Sequence, residues 1–366
     1  MLSLSIILLK YFSPLIIAII IVSMSIVNTF LNSIPSIFLG APDETTVLSV
    51  LPGHRMLLKG QGYAAVTLTV IGSLFSLIII ICLTPLLILS IKYVYSIIKQ
   101  FIVYILIIVT IFLIFRERKS KFWSFTIFML SGILGLSVLT LPILKEPLFP
   151  MLSGLFGTSV LIMSLYTKTV IPKQLIEFPK IESKQTSKSL FSTVLVGTIA
   201  SFLPGIGPAQ AAIIGSQITK LTDKGFLILV GGLNTVNMAV SFITLYIIDK
   251  TRNGSVVIIS KILSLFSLNY LILFLGCGLF VAGISTFLTQ YFSKVFSKII
   301  TKINYKILCI SIILFITFIT IHLSGILGLL ILVVATSLGI IPTLKGVGKN
   351  HLMGCLLIPV ILHFLL

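Results

Sequence analysis

Ser201–Gln217 reads SFLPGIGPAQAAIIGSQ. The stretch lies in an apolar region, yet Pro204, Gly205, Gly207 and Pro208 fall within five positions. Proline removes a backbone donor and glycine frees the chain to turn, so a straight spanning helix does not carry this cluster at its middle. The pattern predicts a helix that enters the membrane, breaks, and continues as a second short helix, with arms at Leu190–Ser201 and Pro208–Leu221. Pro208 stands at the favoured first position of the second arm. The amides of Ala209 and Gln210 are then left without helical partners and partly positive, which suits an anion. Non-helical backbone at membrane depth survives where it is buried in protein or lines a wet cavity. Secondary transporters place their substrate sites at such breaks. A tight loop between two ordinary helices is the plainer alternative.

Working outward, composition sets the class. Of 366 residues, 57% are hydrophobic and 9% charged, against about 25% charged in soluble domains. The chain is expected to be an all-α polytopic membrane protein of the cell membrane, because no alternation suited to a barrel is present. A formal charge of +18 would point to nucleic acid in a soluble chain. Here Lys and Arg sit in short loops, as the positive-inside rule describes, so the partner is the lipid bilayer and no nucleic acid is expected. Cys82, Cys277, Cys309 and Cys355 have no metal-ligand or redox spacing, and neither do His54, His322, His351 and His363. No metal or cofactor is expected, apart from Na⁺ as a candidate coupling ion.

Residues 4–27 form the first apolar segment, kinked or broken at Pro14. Asn28–Gly62 follows, interrupted by Pro35, Gly40, Pro42, Pro52 and Gly53, and reads as a re-entrant or unwound segment. It holds Asp43 and Glu44, and an acid at membrane depth is a functional candidate by default; capping a helix at Thr45–Leu51 from the interface is their alternative role. Spans are expected at Ala64–Ser90, Ser96–Phe115, Phe122–Leu141 and Leu148–Tyr166, with a basic loop at Arg116–Lys121. After the broken hairpin comes Gly225–Ile248, with Asn234, Thr235 and Asn237 near its middle. Two asparagines there are costly unless they face partners or water. A turn at Asp249–Ser255, an interfacial Val256–Leu268 and a span at Leu271–Phe292 follow. Lys294, Lys298, Lys302 and Lys306 are expected to form one basic stripe on a helix face, against anionic headgroups. Ile307–Leu323, Gly325–Ile341 and His351–Leu366 close the chain.

The chain carries signs of an internal repeat. SGILGL occurs at Ser131–Leu136 and again at Ser324–Leu329. Asn28-Thr29 recurs as Asn234-Thr235 at an offset of 206, the same offset relates Asp43 to Asp249, and Gly154 matches Gly354. Each unit has an odd number of crossings, so two in series are inverted. The expected organisation is a first repeat at 1–167, a basic cytoplasmic linker at 168–189 and a second repeat at 190–366. Together they give roughly ten membrane segments, with broken or re-entrant hairpins around a midplane site. The counterpart of Pro204 falls just before Met1, so the first hairpin is either lost or encoded upstream; the second is the expectation.

Two long stretches carry a family resemblance: IPSIFLGAPDETTVLSVLPGHRMLLKGQGYAAV (Ile34–Val66) and FLPGIGPAQAA (Phe202–Ala212), with the closing MGCLLIPVIL (Met353–Leu362). Together they resemble the large membrane subunit of tripartite tricarboxylate transporters, in its archaeal branch. The resemblance implies a carrier of organic anions driven by an ion gradient, working in bacteria with a small membrane subunit and an extracellular binding protein. APDETT replaces a more neutral segment of the bacterial members, and its two acids would repel a tricarboxylate unless they bind the coupling cation or are protonated.

The expected site follows. Pro204, Gly205, Gly207, Pro208 and the amides of Ala209 and Gln210 cradle an anionic group. Asn234, Thr235 and Asn237 contact the substrate or Na⁺, as do Asn28 and Thr29 from the other repeat. Interhelical hydrogen bonding is the alternative role for these polar pairs. Asp43 is the candidate coupling-ion ligand, with Asp249 its partner by offset; a solvated turn is the alternative for Asp249, beside Lys250 and Arg252. A second copy of the chain is kept as a candidate partner. Two other classes stay open: a polytopic membrane enzyme using Asp43, Glu44 and His54 at one interface, and a structural or assembly protein. Nothing matches a nucleophile elbow, zinc signature or phosphate loop.

Overall fold

In a computed structural model, the described residues are 11–39, 50–115, 117, 120–142, 144, 146–166, 171–201, 207–251, 253–263, 265–301 and 304–365. Among them there is no strand, and seven helices are long and apolar enough to cross a membrane. The chain is an all-α, multi-pass membrane protein.

α1 (Pro14–Leu31) starts at Pro14, so this proline opens the helix and does not kink it. α1 leads into a π-helix at Pro35–Leu39, and Pro14–Phe38 is one candidate crossing. The expected unwound segment is therefore helical to residue 39, and residues 40–49, with Asp43 and Glu44, lie outside the described residues. α2 is Val50–Leu58. α3 runs unbroken from Gly62 to Phe115, 54 residues or about 80 Å. It merges two expected spans, because the tract IKYVY at 91–95 contains neither Gly nor Pro to end a helix. α4 (Lys121–Leu139) follows, capped by the Ser120 hydroxyl accepting from the Trp123 amide. α5 (Leu148–Leu152), a second π-helix (Ser153–Thr158) and α6 (Ser159–Tyr166) form one further crossing.

The hairpin arms are α7 (Ser183–Ala200) and α8 (Pro208–Thr219). α7 starts seven residues earlier than expected and takes up the end of the linker. The remaining linker is partly pinned: buried Gln174 accepts from the Gly62 amide at 2.9 Å and donates to the Leu57 carbonyl at 3.0 Å. α9 (Asp223–Ile248) begins at a Thr222 cap, α10 is Gly254–Ile262 and α11 is Leu268–Ile299. α12 (Tyr305–Lys345) breaks at Gly325, whose φ of 65° and ψ of −159° suit glycine alone. This is the separation expected between Leu323 and Gly325. A 3₁₀ turn (Lys349–Met353) and α13 (Gly354–Leu365) end the fold. The lysine stripe is not one helix face: α11 stops at Ile299, Lys302 is outside the described residues, and Lys306 opens the next helix.

Two apolar cores result. The first joins α1, α2, the start of α3, α10 and α11; the second joins the end of α3, α4, α5, α8, the end of α12 and α13. α9 contributes to both, with Val236 and Phe242 in one and Leu229 and Leu233 in the other. Its apolar window is 89% buried, against 17–56% for the other crossings, so α9 is the central helix.

The halves pack on each other by exchange. α9 lies on α3, and α1 lies on α11. Gly72 meets Ile228 and Gly232, while Gly278 meets Ile26; the pairs 72/278 and 26/232 share the offset of 206. In the second core Gly135 meets Cys355 and Gly339 meets Leu155, while Gly354 meets Phe128 and Gly154 meets Leu332. The two SGILGL copies do not correspond in this exchange. Gly132 and Gly135 are packed against α13, whereas Gly325 is the kink, with nothing within 4 Å of an added Cβ. That match reflects small and aliphatic composition, not an equivalent place.

Candidate functional site

α7 ends at Ala200, and residues 202–206, including Pro204 and Gly205, lie outside the described residues. The chain resumes at Gly207, and α8 opens on Pro208. The first helical bond of α8 runs from the Ala211 amide to the Gly207 carbonyl at 3.1 Å. The amides of Ala209 and Gln210 therefore have no acceptor within the helix and face its N-terminal end.

Opposite this start stands α9. Pro208, Ala211, Gly197, Ala200, Leu233 and Asn237 line one small cavity. The Ser201 hydroxyl lies 2.7 Å from the Gly197 carbonyl and 3.1 Å from Asn237 Oδ1. One asparagine oxygen is thus held towards the α7 end of the break, leaving the amide NH₂ as a donor. Ser201 carries no distinctive motif; only its place at the last turn before PGIGP marks it.

The other predicted polar residues form a second group. At the crossing of α1 and α9, Thr235 Oγ1 donates to Thr29 Oγ1 at 3.2 Å, across 206 positions. Thr29 in turn donates to the Ile26 carbonyl at 2.8 Å. Thr235 is fully buried and Asn234 is 7% exposed, whereas Asn28 is exposed on α1. The structure therefore brings Gly207, Pro208 and Asn237 together at the break and Thr29 and Thr235 together at the crossing of α1 and α9, and it leaves Asn28 out of both. Asp249 is exposed as the left-handed C-cap of α9, with φ 48° and ψ 37°, a conformation Asp tolerates. It does not join the other residues.

Several polar contacts between the halves have no sequence signature. Thr158, at the end of the second π-helix, pairs with Thr336 of α12. Single-turn π segments occur frequently at functional sites. Buried His54 places Nε2 3.3 Å from Tyr305 Oη, with the rings stacked. Burial holds His54 below its ordinary value of 6.5, and the Ile37 backbone opposes this more weakly. His351 is lowered likewise by burial, with Glu117 opposing. For both, the unfolded chain takes up a proton before the folded one does. Stability is therefore complete above pH 6.5 and is lost as pH falls below it, by about 1.4 kcal/mol per unit of pKa difference. The melting temperature is expected to drop between pH 7 and pH 5. His54→Gln and His351→Gln together should flatten that slope; an unchanged slope in the double variant would exclude these histidines as its cause.

Comparison with known proteins agrees with this architecture. The family model described as tripartite tricarboxylate transporter TctA family matches residues 1–354. An uncharacterised protein of Methanocaldococcus jannaschii is 31% identical over 353 residues, covering 94% of this chain and 87% of that protein. No solved structure matches.

Proposed function

The chain belongs to the tripartite tricarboxylate transporter TctA family, a transporter family, and from that premise we propose that it is a secondary carrier of a small organic anion coupled to Na⁺ or H⁺. The anion sits at the break between α7 and α8. Its negative group faces the amides of Ala209 and Gln210 at the N-terminus of α8, beside Gly205 and Gly207, and Asn237 supplies a side-chain amide. The observation that carries this reading is that Pro208 and Asn237 line the same cavity, where the sequence between α7 and α8 holds Pro204-Gly205 and Gly207-Pro208. Thr29 and Thr235 then mark the axis about which the two halves exchange contacts, and rocking about such an axis is how inverted repeats alternate access. Asp43 remains the candidate for the coupling ion; Asp249, exposed at its cap, is assigned none. Partners by family are a small membrane subunit and an extracellular binding protein.

The test is uptake into proteoliposomes of labelled citrate, succinate and acetate under an inward Na⁺ gradient, an inward H⁺ gradient and neither. The expected result is accumulation of one of them that collapses when an ionophore removes the gradient. A protein that accumulates none of the three under either gradient overturns the organic-anion reading. Gly207→Ala is expected to abolish uptake with membrane insertion unchanged.

A further inference from the structure

After α12 ends at Lys345, Gly346 turns left-handed with φ 65° and the 3₁₀ turn Lys349–Met353 redirects the chain. Glu117, from the loop between α3 and α4, secures this turn. Its Oε2 accepts from the Gly348 amide at 3.1 Å and lies 3.3 Å from His351 Nε2. Lys349, between them, faces elsewhere. Lys349 is 7% exposed, and its Nζ donates to Ser159 Oγ at 3.2 Å. Ser159 gives its own proton to the Leu155 carbonyl at 2.7 Å, so its oxygen is free to accept. Among the described residues no carboxylate lies within ion-pair distance of Lys349. An ammonium has three donors, and this one uses a single neutral acceptor.

That arrangement is costly for a merely structural lysine. A buried charge without a counter-ion is strongly disfavoured, and burial alone lowers Lys349 to about pKa 8. The neighbouring Lys345 shows the ordinary alternative: it is exposed, with its ammonium 4.4 Å over the Trp123 ring. Lys349 instead turns inward. Its location adds meaning. Ser159 directly follows the π-helix Ser153–Thr158. The 3₁₀ turn packs on α8, and Ala211, Ala212, Leu352 and Met353 share one core. The turn that carries the ammonium thus shares a core with the second arm of the broken hairpin. In the same turn His351 Nδ1 is also buried without a partner.

We infer that Lys349 and Ser159 form a carboxylate-binding subsite, in which the ammonium receives one carboxylate of the transported anion. This rests on the organic-anion reading above. A permanent Asp or Glu at this place would hold the ammonium closed; among the described residues none does, which suits a ligand that arrives and departs. Two carboxylates of one anion are then recognised differently, one by the backbone amides of α8 and one by a side-chain charge.

The experiment is thermal stability of the purified full chain against citrate, succinate and acetate, with sodium chloride as the control. Wild type should gain stability with at least one carboxylate. Lys349→Met should melt at or above wild type without ligand, because an uncompensated buried charge is gone, and should lose at least tenfold in carboxylate affinity. Lys349→Arg should stay within about threefold of wild type in affinity. A Lys349→Met protein that keeps wild-type affinity overturns the subsite while leaving the carrier reading intact. A Lys349→Met protein that melts lower or fails to fold also overturns it, since the lysine is then structural. No shift of wild type with any of the three acids overturns the organic-anion reading and the subsite with it.

Discussion

Gly72→Ala is expected to lower the melting temperature of the detergent-solubilised protein by several kelvin and to cut its folded yield. A Cβ at Gly72 would press into the Ile228 carbonyl, with the Ile228 carbonyl carbon 2.8 Å away and the Gly232 amide nitrogen 3.0 Å away. All three atoms are backbone of α9, so no rotamer change relieves the contact and the two helices must move apart. Overpacking of this kind costs about 1–3 kcal/mol, sometimes more. The position matters because α3 and α9 form the broadest helix contact in the protein, and α9 belongs to both apolar cores. Small residues at such crossings replace the hydrophobic driving force that lipid removes. Gly278, at the equivalent crossing of α11 with α1, has its nearest atom 3.6 Å from an added Cβ, so Gly278→Ala should be tolerated. Gly276 and Gly283 have nothing within 4 Å. Alanine there should be neutral or raise stability by up to about 1 kcal/mol through helix propensity. A Gly72→Ala protein that melts with Gly276→Ala and Gly283→Ala would show that the α3–α9 seam yields at no cost.

These contrasts show what a sequence carries and what it does not. Breaks were legible wherever they depend on residue type: Gly325 parts α12, and Pro208 opens α8. Absence of a breaker is weaker information. Two spans are expected on either side of residues 91–95, IKYVY, but a stretch without Gly or Pro does not end a helix, and α3 continues to Phe115. In the sequence the offset of 206 shows in the Asn-Thr pairs and in Asp43 and Asp249, whereas the SGILGL copies fall in unlike places, because apolar hexapeptides recur by composition. Of the proposed site, PGIGP and Asn237 stand out in the sequence, since Pro, Gly and mid-helix Asn are out of place in a lipid-facing helix. Lys349 does not. In the sequence it is one more lysine in the basic run between Lys345 and His351, and only the 3₁₀ turn that points it inward separates it from Lys345. Gln174 was hidden likewise, inside a linker whose composition reads as solvated. Burial of a polar group is a property of where neighbouring elements close, and local sequence does not encode it.

Asn237→Asp is expected to reduce anion uptake at pH 7 by two to three orders of magnitude with the protein still inserted. Aspartate matches asparagine in shape and still accepts from the Ser201 hydroxyl, which lies 3.1 Å from Asn237 Oδ1. The α7–α9 contact therefore survives. What changes is a negative charge at a cavity lined also by Pro208 and Ala211. Two like charges about 4 Å apart at an effective dielectric near 20 repel by about 4 kcal/mol, close to a thousandfold in affinity. The Asn237→Ala protein separates charge from shape. It removes one hydrogen bond, worth about 1 kcal/mol, while Ser201 keeps its 2.7 Å bond to the Gly197 carbonyl, so uptake should fall by tenfold or less. The order wild type, Ala, Asp is thus a signature of an anion at the break. A cation bound there would invert it: carboxylate in place of amide strengthens a Na⁺ site, and Asp would then equal or exceed wild type while Ala fell. Uptake measured for the three proteins side by side distinguishes the two, and an Asn237→Asp protein that carries the anion at the wild-type rate removes the substrate from α8 and moves the coupling ion to it.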